Sequence, residues 1–125
     1  MMNFFERRAK LKNVNYLTLT PIRLESETVD ENNIVTVLIP RFKSKFAQKH
    51  IVPKLKSIHI KLKLDVVGSA VWLLIDGTKK VSEMVPELVN KFNDTDESME
   101  KRLTKFLSLL YDNRLITFKE ITSLN

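Results

Sequence analysis

The sequence predicts an α+β fold, in which a small antiparallel sheet packs with a three-helix bundle. Two patterns indicate this class. Apolar and polar residues alternate in short runs before Asp65, as in strands, whereas apolar residues recur at helical spacing over residues 67–111. With 125 residues, of which 43% are hydrophobic and 29% charged, the chain has the size and composition of one globular domain.

We expect residues 1–20 to be an N-terminal extension that forms a short helix or an arm. Phe4 and Phe5 precede a basic cluster there, and Pro21 ends the segment. The next two elements predict a β-hairpin, with strands at residues 22–28 and 34–39.

The second hairpin strand, IVTVLI, is apolar on both faces, so we expect both faces to be covered. Residues 30–33 have the composition of the turn before it. Residues 41–56 predict a short amphipathic helix and a loop, with two Phe residues packed on the core.

The stretch at residues 56–77 predicts a half-buried strand that leads directly into a helix. Asp65 is placed to cap the helix, and Asp76-Gly77 is a stop signal. The strand residues divide between two faces: Ile58, Ile60, Leu62 and Leu64 on one, and Ser57, His59, Lys61 and Lys63 on the other.

Two further amphipathic helices follow. Ser82 is the expected N-cap of a helix over residues 83–92. Asp94, with Glu97 three residues later, predicts a capping box for a helix over residues 97–112.

Asn113 is the expected left-handed cap of the last helix, and residues 115–121 predict a closing strand. Three helices flanked by strands form the layout of a winged helix-turn-helix. We therefore expect one domain over residues 21–121, with a tail at residues 122–125.

Charge and composition limit the function classes. The net charge is +6, and residues 41–63 hold 8 basic residues and no acidic one, so this run is either a polyanion-binding surface or a solvated face. The absence of Cys excludes disulfides and thiolate metal sites. No signal peptide is evident, and the longest apolar run is far below the ~20 residues of a membrane span. We expect a cytoplasmic protein.

The sequence contains no motif for catalysis. It lacks a phosphate-binding glycine loop, and neither His50 nor His59 has a carboxylate neighbour in sequence that would suggest a metal site. The carboxylates fall at caps and turns, so we assign no catalytic, cofactor-binding or metal-binding residue and expect no enzyme and no cofactor.

From Lys61 onward the chain resembles the PqqD-like family, named for pyrroloquinoline quinone biosynthesis protein D. The ordered set that carries the resemblance is Ala70-Val71-Trp72, Leu74, Asp76-Gly77, Val81-Ser82-Glu83, Phe106-Leu107, Leu110 and Leu115-Ile116.

The resemblance implies a non-catalytic, peptide-binding winged helix, a recognition element for ribosomally made and post-translationally modified peptides. Such domains bind the leader of a precursor peptide and present it to a modifying enzyme, often a radical SAM protein. The leader adds as a strand beside residues 58–64, in a groove against the helix at residues 97–111.

The implied site has two parts. The strand contributes its backbone, and Lys61, Lys63, Arg102 and Lys105 would attract acidic residues, while Leu103, Phe106 and Leu109 supply apolar pockets. A proline at Ile60 should weaken binding if the Ile60 N–H faces the groove. The complete set of expected peptide-binding residues is Ile58, His59, Ile60, Lys61, Leu62, Lys63, Arg102, Leu103, Lys105, Phe106 and Leu109.

Two alternatives remain open at this point. One is a winged-helix DNA-binding protein, which the net charge favours but which the balanced charges of the last helix, Lys101, Arg102 and Lys105 against Glu97, Glu100 and Asp112, do not. The other is a scaffold domain that binds only a partner protein. Neither alternative involves a membrane.

Overall fold

The computed structural model describes residues 3–40 and 59–122. These ranges contain both helices and small antiparallel sheets, so the α+β class is confirmed. The winged-helix assignment stays a prediction. The predicted helix within residues 41–56, together with His50 and Ile58, lies outside the described residues. The elements are α1 (Phe4–Lys10), a 3₁₀ turn (Tyr16–Thr18), β1 (Pro21–Arg23), β2 (Ser26–Val29), β3 (Val35–Pro40), β4 (His59–Lys63), α2 (Val66–Leu74), α3 (Val81–Phe92), α4 (Asp96–Asp112), β5 (Ile116–Phe118) and α5 (Lys119–Thr122).

The described strands form two antiparallel sheets. The larger has the order β2-β3-β4, and β1 pairs with β5 in the smaller. The prediction of one continuous strand over residues 22–28 is wrong, because the chain changes sheets near Leu24, whose N–H donates to the Leu115 carbonyl at 2.9 Å. β2 and β3 form the predicted hairpin, and the Asp30 carboxylate in its turn accepts the Ile34 N–H at 3.0 Å.

Strand β3 has one buried face. Val35 and Val37 are fully buried, whereas Thr36 and Leu38 on the opposite face are half-buried. The expectation that both faces are covered therefore holds for one face and only partly for the other. The largest fully buried side chains of the core are Trp72, Tyr111, Phe118, Ile75, Met84, Leu88, Met99, Leu103, Leu107 and Ile116.

Helix α2 begins as the sequence predicts. The Asp65 carboxylate accepts the Gly68 N–H at 2.7 Å, which satisfies one of the free donors at the start of the helix. The helix ends at Leu74, ahead of Asp76-Gly77, and Gly77 adopts a φ of 81° that disfavours other residues.

Helix α3 begins earlier than predicted. Lys80, not Ser82, is the N-cap residue, and the Glu83 carboxylate accepts the Lys80 N–H at 2.9 Å. The first helical residue, Val81, is fully buried and donates its N–H to the Leu19 carbonyl at 2.9 Å. Tertiary packing at Val81 therefore decides where this helix starts.

Helix α4 is capped by a different residue from the predicted Asp94. The Thr95 hydroxyl accepts the Ser98 N–H at 3.2 Å and serves as the N-cap. Asp94 instead accepts a hydrogen bond from the Arg102 guanidinium at 2.9 Å. Asp94 therefore pairs with Arg102, and the adjacent Thr95 caps the helix.

The end of α4 also differs from the prediction by one residue. Asn113 has a φ of −92°, and the left-handed residue is Arg114, with a φ of 61°. The Leu115 N–H donates to the Leu110 carbonyl at 2.9 Å, which completes a Schellman motif. The predicted strand over residues 115–121 is reduced to β5, because the chain turns into α5 at Lys119.

The N-terminal helix packs against the end of α4. Arg7, only 8% exposed, donates to the Tyr111 carbonyl at 2.7 Å, and its guanidinium lies 4.1 Å from the centre of the Tyr111 ring. The Tyr111 hydroxyl donates back to the Arg7 carbonyl at 2.9 Å, and burial raises the pKa of this hydroxyl. Among the described residues, no helix is both long enough and apolar enough to span a membrane.

Candidate functional site

Strand β4 lies at an edge of the larger sheet. It pairs with β3 on one side, and within residues 3–40 and 59–122 no strand pairs with its other side. An edge strand presents backbone N–H and C=O groups to which another extended chain can bond. The outer side of β4 is therefore the first candidate for a binding surface.

The register identifies the β4 groups that face outward. In an antiparallel pair, successive residues direct their N–H and C=O alternately toward the neighbouring strand and away from it. The Leu64 N–H donates to the Val35 carbonyl at 2.9 Å, so the alternation directs Ile60 and Leu62 toward β3 as well. The two lysines of β4 then direct their N–H and C=O groups outward.

The other side of β3 supports this register. The Asp30 N–H donates to the Ile34 carbonyl at 3.1 Å. By the same alternation, the backbone N–H and C=O groups of Thr36 and Leu38 point toward β2, and those of the residues between them point toward β4. The Ile60 N–H consequently faces β3 and not the open side. The proline test proposed for Ile60 therefore applies instead to Lys61.

The side chains of β4 form an apolar row and a basic row. Ile60 and Leu62 lie opposite Ile39 and Val37, on the face directed to the core, as predicted. They are nevertheless 53% and 38% exposed, so the expected half-buried strand is wrong. The reason is position, because these side chains lie at the sheet edge and the helices cover its interior.

The basic row consists of Lys61 and Lys63, which lie opposite the uncharged Leu38 and Thr36. Neither lysine forms an ion pair with a carboxylate of the described residues. No carboxylate of the described residues therefore compensates their positive charges. Each lysine carries an outward N–H and a cation on the same residue.

A groove of about 460 Å³ adjoins the end of β4, between α2 and α4. Leu64 and Val71 contribute apolar surface from the side of β4 and α2, and Met99, Leu103 and Phe106 contribute it from α4. Leu103 is almost fully buried, so it belongs to the core as well as to the floor of the groove. The remaining lining residues are Lys63, Asp65, Val67, Gly68 and Arg102.

Gly68 brings α2 and α4 close together in the groove. A Cβ atom at this position would lie 3.2 Å from the Phe106 ring and 3.0 Å from the Asp65 carboxylate. Only glycine therefore permits the present position of the ring without adjustment. The motifs of the sequence assign no role to Gly68, although an isolated glycine inside an apolar helix is a signal for such close packing.

Arg102 lines the groove but already has an acidic partner. Its guanidinium forms an ion pair with Asp94 at 2.9 Å, and the arginine side chain is 49% exposed. Hydrogen bonds from the Thr95 N–H and from Arg102 lower the pKa of Asp94. Arg102 is thus oriented by Asp94, and part of its charge is balanced before any ligand binds.

The structure does not bring all of the expected residues together. Lys105 lies on the other flank of α4, in a separate depression beside Val14 and Leu17. Leu109 is 52% exposed and does not line the groove. His59 is the first residue of β4, at the end of the strand remote from the groove.

The candidate site presents groups that are able to contact a ligand. In the part of the chain that the structure describes, no three His, Cys, Asp or Glu side chains are grouped as they would be around a metal ion. The site combines outward backbone groups, exposed apolar side chains and two lysines that form no ion pair within the described residues. These features define a small α+β domain in which β4 has no pairing strand on its outer side within residues 3–40 and 59–122, beside an apolar groove.

Residues 59–116 match the family model of coenzyme PQQ synthesis protein D (PqqD). The matched segment begins with β4 and ends at the first residue of β5, so it contains both the strand edge and the groove. Over this segment, which is slightly less than half of the chain, the sequence is similar to the PqqD family. No curated protein and no solved structure matches the chain.

Proposed function

We propose that this protein is a non-catalytic peptide-binding module of peptide natural-product biosynthesis. It recognises the leader of a ribosomally made precursor peptide by β-strand addition along β4. It then presents the peptide to a modifying enzyme, for which a radical SAM protein is the first candidate. The family match supports a biosynthetic role, and the open edge of β4 is the observation that carries the binding mode.

Three contributions to affinity are expected. Each backbone hydrogen bond to an outward β4 group contributes about 1 kcal/mol. Apolar side chains of the peptide gain about 25 cal/mol per Å² of apolar surface that they bury against Ile60, Leu62 and the groove. Ion pairs with Lys61 and Lys63 add about 0.2–1 kcal/mol each, since both lysines are exposed.

Proline substitution at Lys61 tests strand addition directly. The probe is a fluorescein-labelled peptide, selected from a random-peptide display library on the immobilised wild-type protein. Lys61→Pro removes an outward N–H but no hydrogen bond to β3, so we expect an intact fold and about tenfold weaker binding in fluorescence anisotropy.

Two matched variants make this test specific. Lys61→Gln removes the charge but keeps the N–H, so it should bind more tightly than Lys61→Pro. Ile60→Pro removes an N–H directed to β3, so it should destabilise the sheet in urea unfolding. Equal affinities of Lys61→Pro and Lys61→Gln for the selected peptide would contradict strand addition.

DNA binding is the alternative function that the net charge suggests. In α4, however, Lys101 pairs with Glu97 at 3.4 Å and Arg102 pairs with Asp94 at 2.9 Å, which reduces the positive potential of the helix. Gel-shift titrations over a range of salt concentrations separate the two functions. Weak binding that disappears at physiological salt is nonspecific, and tight binding that persists there would favour the DNA-binding function.

A further inference from the structure

The two faces of β4 differ in chemistry, and an added strand must match both. Residues that lie opposite one another in neighbouring strands place their side chains on the same face of the sheet. A peptide on the outer side of β4 therefore places successive side chains alternately beside the apolar row, Ile60 and Leu62, and beside the basic row, Lys61 and Lys63. This holds for either direction of the peptide.

The basic row favours a negative partner, because no carboxylate of the described residues forms an ion pair with it. The neighbours of Lys61 and Lys63 in β3 are Leu38 and Thr36. The third cation near the groove, Arg102, is already paired with Asp94. The two lysines of β4 are thus the cations of this site that remain available to a ligand carboxylate.

The apolar row favours an apolar partner, because its side chains are exposed to water. Ile60 and Leu62 are 53% and 38% exposed although they lie on the core-directed face. This row continues through Leu64 into the groove, where Phe106 lies against Gly68. Peptide side chains on the core-directed face of an added strand cover Ile60 and Leu62. A peptide side chain that lies beyond the end of β4 enters the groove.

We infer that the ligand of β4 is an extended peptide segment in which apolar and acidic side chains alternate. The acidic side chains lie beside Lys61 and Lys63, and the apolar ones lie beside Ile60 and Leu62. This inference rests on the proposed function, and it specifies the class of peptide that the site selects. The alternation of apolar and acidic residues distinguishes this selectivity from a general preference for acidic or apolar peptides.

Synthetic peptides of about eight residues, an ordinary strand length, test the pattern. The first alternates Leu with Glu, and the second has the same composition with Leu and Glu grouped in pairs. A third alternates Leu with Thr and a fourth Leu with Lys. In fluorescence anisotropy, we expect the alternating Leu/Glu peptide to bind about tenfold more tightly than each of the others.

Charge reversal of the protein provides the matched control. The double variant Lys61→Glu/Lys63→Glu should lose its preference for the Leu/Glu peptide and prefer the Leu/Lys peptide by about tenfold. Such a reciprocal change assigns the charge selection to this pair of lysines. An unchanged order of the four peptides with this variant would overturn the inference.

The experiment also separates failure of the inference from failure of the proposed function. If the display-selected peptide binds Lys61→Pro more weakly than Lys61→Gln but the alternating Leu/Glu peptide binds the wild type no better than the paired one, strand addition stands and the inferred pattern is wrong. If Lys61→Pro binds every peptide as tightly as Lys61→Gln does, or no peptide binds, the proposed function fails and the inference fails with it.

Discussion

Gly68 illustrates how a single residue shapes the candidate site. Its missing side chain allows the Phe106 ring to lie close to α2, and its N–H bonds to the Asp65 carboxylate that caps the helix. A methyl group here would meet both neighbours, at 3.2 Å and 3.0 Å. The shape of the groove beside Phe106 therefore depends on the absence of a Cβ atom at Gly68.

Substitution of this glycine should separate binding from stability. In Gly68→Ala, the gain of about 1 kcal/mol in helix propensity offsets the crowding, so the free energy of unfolding should change by less than about 1 kcal/mol. The Phe106 ring must move, so affinity for the display-selected peptide should fall about fivefold. Urea unfolding and fluorescence anisotropy measure the two effects.

Val66→Ala is the control for this prediction. Val66 lies in the same helix, is 60% exposed and does not line the groove, so its removal should leave peptide affinity unchanged. If Gly68→Ala binds as tightly as the wild type, the part of the groove beside Phe106 takes no part in binding.

The sequence predicts the side-chain direction of the site residues but not their exposure. The period-two pattern predicts the opposite faces of Ile60 and Lys61, because side-chain direction alternates in any strand. It does not predict their exposure, which depends on where the helices end above the sheet. Lys105 lies only three residues after Arg102, yet the two side chains line separate depressions, since the rotation of α4 against its neighbours is a tertiary property.

At the scale of elements, the connection between α2 and α3 depends on Asp76. Its carboxylate accepts the N–H groups of Thr78 and Lys79 and the Thr78 hydroxyl, each at 2.9 Å. These bonds, with the backbone bond from Thr78 as the largest contribution, lower the pKa of Asp76 to about 2. The charged form is therefore the one that stabilises the turn.

Asp76→Asn should change how stability depends on pH. The folded pKa lies below the ordinary value of 3.8, so the stabilisation is present above about pH 4 and is lost as the pH falls toward 2. The wild type should exceed Asp76→Asn in stability near neutral pH, and the difference should disappear in acid. Urea unfolding at a series of pH values measures this difference.

Asp76→Ala separates charge from turn geometry. The asparagine variant keeps an acceptor oxygen, whereas alanine removes it, so Asp76→Ala should be the less stable of the two at every pH. A stability difference between the wild type and Asp76→Asn that stays constant with pH would contradict the assigned role of the charge.

The helix ends show the limit of local signals. Asp65 caps α2 as its position predicts, and no basic side chain of the described residues forms an ion pair with its carboxylate. Asp94 has the same local pattern, but Arg102 binds it and Thr95 caps α4 instead. Sequence patterns identify a helix end within one or two residues, and long-range contacts choose the residue.

At the scale of the whole molecule, the N-terminal segment is joined to the end of α4. Arg7 contacts the carbonyl and the ring of Tyr111, and Leu11 and Leu19 are buried in the core. At the other end of the described chain, the Glu120 carboxylate accepts the Thr20 N–H at 2.7 Å. Burial raises the pKa of Glu120, but the hydrogen bonds from Thr20 and from the Glu120 backbone, together with the charge of Lys119, lower it overall. We therefore expect residues 3–20 to fold together with the rest of the domain.

Two adjacent arginines test this expectation. Arg7→Ala removes a buried, charged donor and should reduce the free energy of unfolding by about 2–3 kcal/mol. Arg8 is 48% exposed and lies 3.4 Å from Asp112, so Arg8→Ala should cost less than about 1 kcal/mol. Urea unfolding of both variants gives the comparison, and equal losses would mean that the N-terminal helix is not integral to the fold.

The sequence alone determined the α+β class, the order of the described elements from β2 to β5 and the two faces of β4, because these follow from local periodicity. It also carried the family resemblance that the match to residues 59–116 confirms. The position of β4 at the sheet edge, the outward direction of the Lys61 N–H and the groove beside Gly68 were decided by the tertiary structure. Each of these depends on which strand pairs with which and on how α4 packs against α2, and such contacts join residues far apart in the chain.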